Sequence, residues 1–156
     1  MQIRLQVHLD NNELMPKHHS AYRKYHSTET TVTKVYNDLF MVVDSGHVSA
    51  LCLLDLTAAF DTVDHDLLRL RLERQFGLCS IPLLWFTSYL QDRSYRVSYS
   101  DSTSATVWVI CSVPQGSVLG LRLFTMYAAD LVDRVEKHGV KFHGYADDSE
   151  FHQIYN

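Results

Sequence analysis

The chain has 156 residues, 46% of them apolar and 12% aromatic, which is enough for one domain with a packed core and too little for two. Its formal net charge is −4, from 14 basic against 18 acidic residues; overall that balance does not supply the clustered positive charge on which strong nucleic-acid binding rests, so a nucleic-acid partner would need local basic patches or parts of a larger protein. Three cysteines, Cys52, Cys79 and Cys111, are widely spaced with no CxxC pair, so neither a disulfide framework nor a zinc knuckle is expected and the setting reads as reducing and intracellular.

The opening MQIRLQVHLDNNELMPKHH lacks the apolar core of a secretory signal, and no run is long enough to span a bilayer. No membrane is expected as a partner. Residues 1–19, polar and rich in His, Asn and Lys, read as a poorly ordered leader. From Thr30 to Ser45, Val32, Val35, Tyr36, Leu39, Phe40 and Val43 recur at helical spacing, with Gly46 just past the end. SALCLLDL, from Ser49 to Leu56, is apolar almost throughout and suits a strand buried on both faces. VDHDLLRLRLERQFG predicts a helix with Asp64 as N-cap, an apolar stripe of Leu67, Leu68, Leu72 and Phe76, and Gly77 as its stop. SIPLLWFTSYL predicts another, capped by Ser80 with Pro82 in the first turn.

SYRVSYS and TVWVICS alternate like strands and read as a hairpin turning at Asp101–Thr103. A long helix is expected from Ser117 to Lys137, with Leu119, Leu123, Tyr127, Leu131 and Val135 on its apolar face. VKFHGY and SEFHQIY close the chain as two strands about a tight turn at ADD.

Three features carry chemistry. Asp55 ends an apolar strand, VPQG precedes a helix, and Asp147 and Asp148 stand side by side at a hairpin tip. Adjacent carboxylates repel unless a cation lies between them. Two-metal phosphoryl transfer needs such carboxylates to converge from separate segments, and Asp55 with Asp147 and Asp148 meets that need if their strands are neighbours. Each feature alone also has an ordinary reading: a solvated turn for the Asp pair, a helix cap for Asp55, a shaped loop for Pro114 to Gly116. None of the nine histidines shows HExxH or another ligand spacing.

Taken in order, SAYRKYHSTETTVTKV, LLDLTAAFDTVDHDLL, LLWFTSYLQDRSYRV, VPQGSVLG, LFTMYAADL and YADD resemble the reverse-transcriptase domain of non-LTR (LINE-type) retrotransposons, from Ser20 to the C-terminus. The resemblance implies an α+β fold, a polymerase palm-type antiparallel sheet with helices packed on one face, plus part of the fingers, over residues 20–156. It implies catalytic and metal-binding roles for Asp55, Asp147 and Asp148, with the carbonyl of Leu56 beside them, and two Mg²⁺ (or Mn²⁺) ions as cofactor. Phe60 matches the aromatic that lies under the incoming sugar and excludes a 2′-hydroxyl. Pro114, Gln115 and Gly116 match the block supporting the template and nascent base pair, with Gly116 allowing close backbone approach, and Tyr145 matches a position near the primer end. The implied partners are an RNA template, a DNA primer and deoxynucleoside triphosphates.

The chain departs from the family pattern at two places. Ser112 stands where the family has Gly before VPQG, a position where a positive φ would strain Ser, and Leu121 stands where it has Pro. Set against the family, the sequence starts inside the fingers and stops eight residues after YADD. The expectation is therefore a truncated, degenerate copy with weak nucleic-acid binding and exposed apolar surface from Trp85, Phe86 or Trp108. Its activity in the parent family is RNA-directed DNA synthesis; the alternative is a catalytically inactive or domesticated remnant acting at most as a binding module. A third reading, a metal phosphohydrolase using Asp and His, predicts ester hydrolysis without template.

Overall fold

The computed structural model describes residues 1–15, 25–145 and 148–155. Helix α1 (Gln2–Asn11) buries Leu5 and Leu9 in the main core cluster, and His8 Nε2 donates to the Phe76 carbonyl at 2.7 Å. This corrects the leader expectation for residues 2–11: two leucines one helical turn apart are enough to dock a short amphipathic helix, even where its other faces are polar. Leu14 and Met15 of the expected leader also pack against that core, and its last residues, 16–19, lie outside the described residues.

Ser27 opens helix α2 (Thr28–Asp44) through a capping box: its Oγ accepts from the Thr30 N–H at 3.3 Å and the Thr30 Oγ1 accepts from the Ser27 N–H at 2.8 Å. The helix is where the periodicity puts it, but its buried face is Thr31, Val35 and Val42, while Val32, Tyr36, Phe40 and Val43 of the expected stripe are exposed. Strand β1 (Val48–Asp55) follows Gly46 as expected. Its burial does not follow: Leu53 is 65% exposed and Leu51 and Leu54 are exposed with it. The strand stands at the edge of its sheet, with α2 against it and no second helical layer among the described residues. An apolar run is buried on both faces only where layers cover both.

Helix α3 (His65–Arg74) is capped by Asp64, whose Oδ1 accepts from the Leu67 N–H at 2.7 Å. Leu68, Leu72 and Phe76 are buried as read; Leu67 points outward instead. Helix α4 (Ser80–Leu90) begins at Ser80 rather than after it, with Cys79 in the cap position and no side-chain cap. The expected hairpin forms in two short pieces: β2 (Ser94–Tyr95) and β3 (Ser98–Tyr99) pair with β5 (Val107–Trp108) and β4 (Ser102–Thr103) respectively. Its turn is at Ser100 and Asp101, where Ser100 takes φ +50, not at Asp101–Thr103.

Helix α5 (Gly120–Glu136) starts three residues later than the apolar pattern suggests, because Pro114 to Ser117 form a turn of their own. Its Leu123, Phe124, Thr125 and Met126 are all buried, a wider buried face than a single stripe. The core consists mainly of α1, α3, α4 and α5 packed together. Strands β6 (Lys141–Tyr145) and β7 (Asp148–Tyr155) complete a three-stranded antiparallel sheet in the order β1-β7-β6, with α2 and α5 against β6. The molecule is thus a small α+β unit with short antiparallel sheets. Trp85 and Trp108 are exposed as expected, whereas Phe86 is fully buried.

Candidate active site

Strand β1 runs its full length beside β7, and the register ends with Asp55 opposite Asp148. On its other side β7 pairs with β6, where Tyr145 is also opposite Asp148. Residue 148 is therefore flanked by residues 55 and 145, and directly opposed Cα atoms of an antiparallel pair are about 4.5–5.5 Å apart. Two acids 93 positions apart in sequence are brought to adjacent backbone positions by strand order alone. Asp147 lies outside the described residues.

After Asp55 the chain folds back at once. Ala58 takes φ +53, and the N–H groups of Ala59 and Asp61 reach the carbonyls of Leu56 and Ala58 at 3.1 and 2.9 Å. Phe60 is 6% exposed, its ring 4.7 Å from that of Phe124; it is a core ring fixed by its neighbour. The segment 60–65 is tied to Ser112 and Val113, where VPQG begins, by three bonds. The Phe60 and Val63 carbonyls each accept at 2.9 Å from Val113 and Ser112, and His65 Nε2 donates to the Ser112 carbonyl at 2.7 Å. Between these bonds Ser112 takes φ +121, so the serine stands in a conformation that favours glycine, as its departure from the family pattern implies.

The next turn places Gly116 at φ +76, with the Ser117 N–H on the Pro114 carbonyl at 3.1 Å. Gln115 and Gly116 are exposed and Pro114 half-buried. A Cβ on Gly116 would meet nothing within 4 Å, so here the glycine serves the turn's positive φ and not a close contact. The close approach is at Gly120 instead. A Cβ there would overlap the Pro114 carbonyl oxygen and lie 2.8 Å from Ser117 Oγ, which itself accepts from the Gly120 N–H at 2.9 Å. Sequence reasoning did not single out Gly120; its only signal was a small residue at a helix start. Nor did it find Tyr89, whose hydroxyl donates to Ser117 Oγ at 3.1 Å from α4.

Beside Asp55 an open pocket of about 380 Å³ is lined by Leu56, Thr57, Arg71, Asp130 and Arg134 among others. Arg71 pairs with Asp130 at 3.2 Å and lies over the Tyr127 ring, while Gln75 donates to the same carboxylate. Arg71 is thus engaged by Asp130, and Asp55, which also lines the pocket, has no cation of its own among the described ion pairs. The donors at hand, a carboxylate and the Leu56 carbonyl, are the hard oxygen ligands that Mg²⁺ takes. No group of three His, Cys, Asp or Glu residues able to hold a metal ion occurs among the described residues.

The chain belongs to the reverse transcriptase (RNA-dependent DNA polymerase) family, whose profile matches residues 1–151 and so extends the likeness through α1. Within that family it is a segment of the non-LTR retrotransposon type, as its mobile-element relatives bear out. It is 30% identical over 147 residues to the RNA-directed DNA polymerase from mobile element jockey of Drosophila melanogaster, covering 90% of this chain and 16% of that protein. The probable RNA-directed DNA polymerases from transposon BS and transposon X-element of the same fly are 31% and 30% identical, over 82% and 83% of this chain and 14% of each relative. The chain thus spans about a sixth or less of the length of these relatives.

Proposed function

We propose that this segment supplies the metal-binding carboxylates and part of the template support of an RNA-directed DNA polymerase, with β1, β6 and β7 as its palm sheet and the 94–108 hairpin on the fingers side. The observation that carries the reading is the register that sets Asp55 opposite Asp148. Asp55, the Leu56 carbonyl, Asp147 and Asp148 would hold two Mg²⁺ or Mn²⁺ ions, whose charge would stabilise the attacking and leaving oxygens of phosphoryl transfer. The reaction joins the primer 3′-oxygen to the α-phosphorus of a deoxynucleoside triphosphate and releases pyrophosphate, copied from an RNA template.

The chain's own residues orient and exclude. Phe60 is a rigid floor under the sugar; Phe124 behind it removes the freedom a 2′-hydroxyl would need. Pro114, Gln115 and Gly116 present backbone to the nascent pair, the turn being locked from below by Ser117 and Gly120. Tyr145, in register with residue 148, faces the primer end.

Two forms of the protein separate catalysis from mere likeness. The chain is assayed for Mg²⁺-dependent extension of a DNA primer on RNA, alone and grafted into the jockey polymerase in place of that protein's matching segment. Extension by the graft, reduced at least a thousandfold by Asp55→Asn and by Asp147→Asn as expected for loss of metal ligands, is the expected result. A graft whose extension survives Asp55→Asn, or one that folds and extends nothing, contradicts the proposal.

A further inference from the structure

On α4 and just beyond it, three side chains four positions apart form a ladder. The rings of Trp85 and Tyr89 are stacked, 5.6 Å between centroids and 9° between planes, and the Arg93 guanidinium carbon lies 4.6 Å from the Tyr89 centroid. The ladder is held from several sides. Phe86 meets Trp85 edge-on at 5.2 Å, Arg93 Nε donates to the Tyr89 carbonyl at 2.6 Å, and the Tyr89 hydroxyl ends on Ser117 Oγ. Yet Trp85 remains 38% exposed, and Arg93 is exposed with no carboxylate partner among the described residues. Arg96, three residues on, donates to the Thr106 hydroxyl and likewise has no carboxylate partner among the described residues.

A pre-stacked tryptophan near guanidinium groups that have no carboxylate partner among the described residues combines the two elements by which single strands are held without sequence preference: a π face for a base and a cation for the phosphate. We propose that the Trp85–Tyr89–Arg93 ladder is a docking platform for single-stranded nucleic acid, with one base stacked on Trp85 and the backbone phosphates at Arg93 and Arg96. Through the Tyr89–Ser117 bond the platform abuts the Pro114–Ser117 turn, so the strand it takes is the one that turn supports. Its identity as template rests on the polymerase reading above; its affinity for a single strand does not. A chain of net charge −4 gains little from long-range attraction, and stacking becomes the larger share of binding. Aromatic and Arg residues also mark protein interfaces, and the neighbouring Ile81 and Leu84 are exposed; self-association is the competing use of this face.

The test needs no catalysis. In a Trp108→Phe background Trp85 is the sole tryptophan of the two in the chain, and its emission is followed in EDTA while uridine-rich RNA, thymidine-rich DNA or blunt duplex DNA is added. Quenching by single strands but not by duplex is expected, with Arg93→Ala weakening the affinity roughly tenfold and Arg93→Lys by less, since Lys keeps the charge and loses the plane. Circular dichroism of the exposed Arg93 variants verifies that they fold. Equal quenching by RNA and DNA marks a base-general platform, and preference for either single strand assigns it to that strand; both support the proposal. It is overturned by absence of quenching, by equal response to duplex, by unchanged affinity in Arg93→Ala, or by a concentration-dependent dimer that Trp85→Ala abolishes. Quenching without primer extension would leave the platform standing and count against the polymerase reading; extension without quenching would do the reverse.

Discussion

The Ser112 N–H donates to the Val63 carbonyl and its carbonyl accepts from the His65 side chain, two bonds that hold it at φ +121. A non-glycine residue in such a region costs about 1–3 kcal/mol, and glycine returns roughly 0.5–1 kcal/mol of that through its freer unfolded chain. Ser112→Gly is therefore expected to raise stability by about 1 kcal/mol, seen as a higher urea midpoint at unchanged slope. A lower midpoint would mean the serine is not strained. Asp38, on α2, makes a second residue-scale case. Burial pushes its carboxyl up, but the Lys34 hydrogen bond and charge, the Lys141 charge and a hydrogen bond with His143 outweigh this and hold it below the usual carboxylate range. With the folded value depressed, the contribution is present above the unfolded carboxylate value and is lost as pH falls through the folded one. Asp38→Asn should remove that part of the acid sensitivity and cost about 1–3 kcal/mol at neutral pH, measured as urea midpoints across the carboxylate range. An unchanged pH profile in the variant would count against the tie between α2 and β6.

Among elements, the turn from Val113 into α5 is the most sharply constrained. Gly120→Ala forces a methyl group against the Pro114 carbonyl, and overpacking of this kind typically costs about 1–3 kcal/mol. The substitution should also shift the 114–117 turn, read as faster hydrogen exchange there. Gly116→Ala, at φ +76 with open space around it, should cost about 1–2 kcal/mol from conformation alone and leave the Ser117–Gly120 bond in place. Equal exchange in the two variants would contradict this division. Helix α3 was legible in the sequence because everything that makes it is local: a capping Asp64, leucines at 68 and 72, and Gly77 at φ +63 to end it. The strand character of β1 was legible for the same reason. Its burial was not, since coverage depends on which layers reach a sheet edge. The docking of α1 rests on the distant Phe76 carbonyl and core, contacts that no local pattern announces. The Asp55 and Asp148 pairing was foreseeable only as a condition on strand adjacency; the order β1-β7-β6 meets it.

For the molecule as a whole, the core lies with α1, α3, α4 and α5, while the sheet and α2 carry much of the exposed apolar surface: Tyr36, Phe40, Leu51 and Leu53 among them. No helix of the described residues is long and apolar enough to cross a membrane. The sheet's importance is geometric, as it delivers the end of β1 to the start of β7. Mn²⁺ titration followed by electron paramagnetic resonance on the full chain tests, without need of substrate, whether acids from these two places form one divalent-ion site. Saturable binding is expected, displaced by Mg²⁺ and weakened roughly tenfold or more by each of Asp55→Asn, Asp147→Asn and Asp148→Asn. Binding unaffected by Asp55→Asn would contradict it, because the acid at the end of β1 would then belong to no shared site.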